Sequence, residues 1–153
     1  MSELKQFNEQ TNESTVFYFI RHAEKEGNST NPNLTETGLN RAKKWSRIFS
    51  EINFDMIFST DYLRTIQTVT PVAEKNQKEI THYSFRTIDI QQLQKQCLGK
   101  TVLVVGHMNT IPTLVNKLIN ENVYQDIDED MFGNLYIVTI AGKLVTHQLL
   151  KLP

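Results

Sequence analysis

Val16-Phe17-Tyr18-Phe19-Ile20-Arg21-His22-Ala23-Glu24 is the stretch on which the fold turns. Its first five residues are apolar, β-branched or aromatic, and they do not alternate with polar ones. Such a run reads as a short strand buried on both faces, the kind found in a parallel sheet covered by helices. The run ends at a charged pair, and Arg21 to Asn33 reads as a charged loop at the end of that strand.

The rest of the chain repeats the alternation. Thr35 is placed to cap a helix in which Leu39, Ala42, Trp45, Phe49 and Ile52 recur at helical spacing. Phe54 to Ser59 reads as a second strand. Thr60 or Asp61 then caps a helix with Leu63, Ile66, Val69 and Ala73 on one face, which Pro71 should kink or interrupt. Ile80 to Phe85 is a weaker strand. Asp89, with Gln92 three residues on, resembles a capping box for a short helix ending before Gly99. Thr101 to Val105 is again a continuous apolar strand. Gly106-His107 leads from it into a helix with Ile111, Leu114, Val115, Leu118 and Ile119 on one face. Leu135 to Ile140 and Lys143 to Leu150 flank Ala141-Gly142 as an antiparallel pair. The expected architecture is α/β: a three-layer sandwich whose central sheet is mostly parallel, with helices on both faces and an antiparallel C-terminal strand pair.

At 153 residues this is one domain, 1–153, in which residues 1–15 read as a loose, flexible leader. The balance of 16 Lys and Arg against 17 Asp and Glu supplies no positive field for a nucleic-acid backbone. A single cysteine, Cys97, closes no intramolecular disulfide and cannot build a multi-thiolate zinc site. Neither a bilayer-length apolar run nor the apolar core of a signal peptide is present, so the expectation is a cytoplasmic protein with no membrane partner. Gly99-Lys100-Thr101 mimics the end of a phosphate-binding loop, but Gln94 stands where that motif needs glycine.

In an open α/β sheet, ligands bind beyond the carboxyl ends of the strands. Three loops meet there: Arg21-His22-Ala23-Glu24, Ser59-Thr60-Asp61-Tyr62-Leu63-Arg64 and Gly106-His107. Two guanidiniums, helix N-termini and a donor imidazole form a pocket for a tetrahedral oxyanion such as phosphate. A second imidazole in that pocket can attack phosphorus. Bland readings stand beside this one. Arg64 could pair with Asp61 on its helix, His107 could satisfy core carbonyls, and Glu24 could orient neighbours or face solvent. His82 and His147 read as structural.

In order and spacing, Arg21-His22-Ala23-Glu24, Leu34-Thr35-Glu36-Thr37-Gly38 with Arg41-Ala42, Ser59 with Arg64, Gln67-Thr68, and Gly106-His107 resemble the histidine phosphatase superfamily, also called phosphoglycerate mutase-like. The resemblance runs from Val16 to about Ile140. It implies that His22 is the nucleophile, that Arg21, Arg64 and a protonated His107 complete the phosphate pocket, and that Asn28 contacts phosphate. It implies no metal and no cofactor, and a phosphorylated small molecule or phosphoprotein as partner. Ala23 departs from the common glycine. Many relatives carry a glutamate acid between the catalytic halves, whereas Ile80 to Lys100 holds one carboxylate, Asp89, which is either a helix cap or a general acid. The chain is similar in size to the short phosphohistidine phosphatases. The implied activity is a metal-independent phosphatase acting through a phosphohistidine on His22, with a mutase or a weakly active phospho-ligand binding module as alternatives.

Overall fold

The computed structural model describes residues 14–153. The expected leader therefore lies outside the described residues except at its end, where Thr15 already opens the first strand. Among the described residues six strands, β1 (Thr15–Arg21), β2 (Met56–Ser59), β3 (Ile80–His82), β4 (Thr101–Gly106), β5 (Asn134–Ala141) and β6 (Leu144–Lys151), form one sheet in the order β3-β2-β4-β1-β5-β6. The pairs β1–β4, β2–β4 and β2–β3 are parallel, and β5 and β6 close one side antiparallel. The described residues form four helices besides: α1 (Glu36–Ile48), α2 (Leu63–Asn76), α3 (Ile90–Gln96) and α4 (Thr110–Ile119).

Side-chain alternation assigns each strand residue to one of two cores. Phe17 and Phe19 of β1 and Val102 and Val104 of β4 point to the face covered by α3 and α4, against Leu93, Ile111, Leu114 and Val115. Ile20, Leu103 and Val105 point to the other face, against Trp45 and Phe49 from α1 and its C-cap, and Val69 and Val72 of α2. The three-layer expectation thus holds, and the two central strands carry apolar side chains throughout because both faces are covered.

Several local expectations are corrected. α2 runs through Pro71 without a break. Val69, Val72 and Ala73 are buried on both sides of that proline. Burying each valine is worth about 1.5–3 kcal/mol, against about 3 kcal/mol for the proline. Neither Thr60 nor Asp61 caps α2; its N-cap is Tyr62, and Leu63 N–H donates instead to Asn31 Oδ1. Leu63 is exposed and the buried stripe is Thr65, Thr68, Val69, Val72 and Ala73. On α1, Leu39 is likewise exposed and Gly38 is buried in its place. β3 keeps only three residues, although Tyr83 N–H still reaches Ser59 O. Ala141 pairs with Leu144, so the hairpin loop is Gly142-Lys143, with Gly142 at φ +62° in the position where such a turn requires glycine.

Candidate active site

Register builds the site. Parallel pairing of β1 with β4 sets Arg21 opposite Gly106, so the residues that follow, His22 and His107, leave the sheet side by side. His22 N–H donates to Gly106 O at 2.9 Å, and the two imidazole centroids lie 5.5 Å apart. β2, the other neighbour of β4, ends at Ser59 and delivers Thr60, Tyr62 and Arg64 to the same edge. Arg21, His22, Arg64 and His107 line one cavity of about 1130 Å³.

The loop after β1 is held from beneath. Ala23 N–H donates to Thr68 Oγ1, which donates in turn to Arg64 O. Gln67 Oε1 accepts from Leu34 N–H. The Gln67-Thr68 pair thereby ties the His22 loop to the helix that carries Arg64. Glu24 O accepts from Thr35 N–H, and its carboxylate forms a two-pronged ion pair with Arg41 at 2.8 and 3.0 Å. α1 comes so close here that a Cβ at Gly38 would overlap the Glu24 carbonyl oxygen. Burial alone would raise the Glu24 pKa, but the Arg41 fork holds it below its usual value.

His22 is almost fully buried, and its Nδ1 lies 2.7 Å from Ala23 O. A carbonyl accepts only, so Nδ1 carries the proton and Nε2 is left with its lone pair. Burial first, then the charges of Arg21 and the neighbouring His107 and Arg64, push the His22 pKa down to about 3. The ring is therefore neutral at pH 7. His107 Nε2 meets Thr60 Oγ1 at 2.9 Å; Thr60 donates to Thr65 Oγ1, and Thr65 to Thr60 O and Tyr62 O. That chain of hydroxyls makes His107 Nε2 the donor. Burial, with Arg64 and Arg21, lowers the His107 pKa to about 4. The sequence led to a protonated His107, whereas burial and the two arginines favour the neutral ring.

Arg21 Nη1 is directed at the carbonyls of Asp128, Glu129 and Met131, and the guanidinium lies 4.1 Å from the Phe132 ring centre. Arg64 makes no ion pair with Asp61; its guanidinium lies over the Tyr62 ring at 4.6 Å. Burial lowers the pKa of both arginines. Arg21 Nε, Arg64 Nε and Arg64 Nη1 are buried N–H donors without a protein acceptor among the described residues.

Asn28 lines the same cavity but at its exposed rim, where its Oδ1 accepts from Lys25 Nζ. Asp89 does not line it; its Oδ1 caps α3 by accepting from Gln91 and Gln92 N–H. His82 and His147 stand elsewhere, the latter with Nδ1 2.6 Å from Tyr124 OH. Sequence reasoning missed the partner roles of Thr60, Tyr62 and Phe132. Thr60 was visible as a hydroxyl one residue past a strand end. Phe132 had no local signal, because its loop reaches the site only through the fold.

The resemblance read from the sequence holds: residues 17–90 match the family described as the histidine phosphatase superfamily (branch 1). That match takes in Arg21, His22 and Arg64 and ends before His107. Among solved structures, the chain is similar to the alpha-ribazole phosphatase from Shigella flexneri (TM-score 0.69, 14% identity, covering 90% of this chain and 96% of that one). It is similar also to the protein histidine phosphatase SixA complexed with tungstate (0.69, 15%, 89% and 96%). A third likeness is to a phosphoserine phosphatase variant from Entamoeba histolytica in complex with phosphoserine (0.66, 17%, 88% and 95%). At these identities the likeness concerns the fold. No curated protein matches the sequence. No described helix is long and apolar enough to cross a membrane.

Proposed function

We propose that the protein is a phosphatase that transfers a phosphoryl group first to His22 and then to water. The observation that carries this reading is the set of buried, unpartnered guanidinium N–H groups of Arg21 and Arg64 beside an imidazole whose Nε2 lone pair is free. Buried donors without acceptors are costly, and a tetrahedral oxyanion satisfies several of them together. The complexes of SixA with tungstate and of the Entamoeba protein with phosphoserine support a site for such groups in this fold.

In the first step Nε2 attacks phosphorus in line, and the P–O or P–N bond to the leaving group breaks, its electron pair going to the leaving atom. Arg21 and Arg64 hold the equatorial oxygens as charge shifts among them. An entering dianion offsets the two arginines and moves the His107 pKa back toward its ordinary 6.5. Nδ1 then gains a proton to donate, while Nε2 stays with Thr60. In the second step water attacks phosphorus, the Nε2–P bond breaks, and inorganic phosphate leaves. With Asp89 engaged as a cap, the site favours phosphoryl groups on leaving atoms that need little protonation, such as phosphohistidine or aryl phosphates. The partner is accordingly a phosphorylated small molecule or phosphoprotein, met in the cytoplasm.

The test is labelling with a radioactive phosphodonor, quenched in alkali because phosphohistidine is acid-labile. An acid-labile, alkali-stable label on His22, absent from His22→Ala, is the expected result. Label on another residue overturns the assignment.

A further inference from the structure

We propose, on the basis of that phosphatase reading, that Tyr62, Phe85 and Phe132 form a subsite beside the phosphate pocket that receives a planar aromatic leaving group. Each of two rings stands against one histidine and one arginine of the pocket. Tyr62 meets His107 edge to face, with centroids 5.3 Å apart at 89°, and the Arg64 guanidinium lies over its ring. Phe132 is tilted at 58° against His22, 6.3 Å away, and takes the Arg21 guanidinium at 4.1 Å. Phe85 reaches the same cavity from the segment between β3 and α3, with the Lys117 ammonium 5.5 Å from its ring centre. The phosphate pocket is thus bordered by rings of three separate loops.

Tyr62 and Phe132 belong to neither core, and Phe85 packs only at the edge of one, against the face covered by α3 and α4. Tyr62 is 40% exposed, and Phe85 and Phe132 are half-buried at the cavity wall. The cavity, at about 1130 Å³, lies just above the range of about 300–1,000 Å³ that holds whole small-molecule ligands, far more than a phosphoryl group fills. Beyond the phosphate pocket charge offers little discrimination, since Lys25 and Arg86 line the cavity together with Asp61 and Glu129. Flat apolar faces are what remain to select a substrate, and aromatic rings favour other rings in stacked or edge-on contact.

The acid–base chemistry of the cavity favours the same class. Of the carboxylates that line the cavity, Glu24 is bound to Arg41 and Asp61 and Glu129 are exposed to solvent, while the stretch Tyr83-Ser84-Phe85-Arg86 carries none. An alkoxide leaves slowly without a proton donor, whereas an aromatic oxide departs with the P–O electron pair and takes its proton from water afterwards. A site short of donors and lined with rings therefore suits an aryl phosphate.

The experiment compares kcat/KM for phenyl phosphate and 2-naphthyl phosphate, whose leaving groups have nearly equal acidity but differ by one fused ring, with acetyl phosphate as a ring-free substrate. The wild-type protein should favour the naphthyl ester about tenfold, from the apolar area the second ring buries. Phe85→Ala and Tyr62→Leu should each reduce that preference to about threefold or less. Both substrates are measured on one preparation, so any loss of folded protein cancels from the ratio. A wild-type ratio near one, or a tenfold ratio that survives in both variants, overturns the subsite while acetyl phosphate turnover leaves the phosphatase reading standing. Failure to turn over acetyl phosphate, with no label on His22, overturns that reading and the subsite with it.

Discussion

Acid should destabilise this protein through its two pocket histidines, and the size of the effect follows from their burial. His22 and His107 are held at about 3 and about 4 when folded and return to 6.5 when unfolded. Below pH 6.5 the unfolded chain binds protons that the folded chain refuses, so stability is complete above that value and falls as pH drops toward the folded values. At pH 5 the unfolded state lies 1.5 pH units below 6.5, which at 1.36 kcal/mol per unit is about 2 kcal/mol for each histidine and about 4 kcal/mol for the pair. The figure at pH 5 depends on the unfolded value, since both folded values lie well below. Glu24, held below its ordinary 4.5, loses its contribution only at lower pH, outside this window. Urea unfolding at pH 7 and pH 5 measures the difference. His22→Asn should shrink the loss between the two pH values from about 4 to about 2 kcal/mol. Equal losses in the wild type and the variant would refute the argument and mean that the His22 imidazole is not held neutral by burial.

Arg64→Ala should lower turnover by on the order of 100-fold or more, as loss of one donor to a developing oxyanion does, and steady-state rates on acetyl phosphate would show it. Thr60→Val removes the acceptor that orients His107 Nε2; kcat should fall at least about tenfold with little change in KM, and Thr60→Ser should restore most of it. Asp89→Asn should leave both melting temperature and rates on alkyl and aryl phosphates near wild type, because asparagine caps as well as aspartate. Asp89→Ala should cost about 1 kcal/mol in urea unfolding without any leaving-group dependence. A selective loss on alkyl phosphates in Asp89→Asn would make Asp89 the acid.

The strands of the sheet were legible because burial on both faces writes an unbroken apolar run, as in Val16–Ile20 and Thr101–Val105. Convergence of Arg21, His22, Arg64 and His107 followed from the rule that loops at one sheet edge meet. Helix faces were less legible. Leu63 and Leu39 suit an apolar stripe by composition, yet the tight approach of α1 to the Glu24 loop buries Gly38, and Thr65 and Thr68 are drawn inward by hydrogen bonds to Thr60 and the His22 loop. Polar residues buried for their bonds break the periodicity on which such readings rest. The protonation of His107 was also hidden, since it depends first on burial in the folded pocket and then on Arg64 and Arg21, which are distant in sequence.

The register that joins β1 to β4 also governs when the site comes into being. Its imidazoles sit on strands that the ribosome makes far apart, Thr15–Arg21 early and Thr101–Gly106 late, with Phe132 and the carbonyls that grip Arg21 later still. A nascent chain that has emerged only through α2 already holds His22 and Arg64, yet it has no β4 to set their spacing and no loop to seat Arg21. Pairing across such separations is slow to nucleate. The proposed oxyanion site should therefore assemble in one late step of refolding, together with the central strand pair. An oxyanion such as tungstate added during refolding would report the moment at which that strand pair closes.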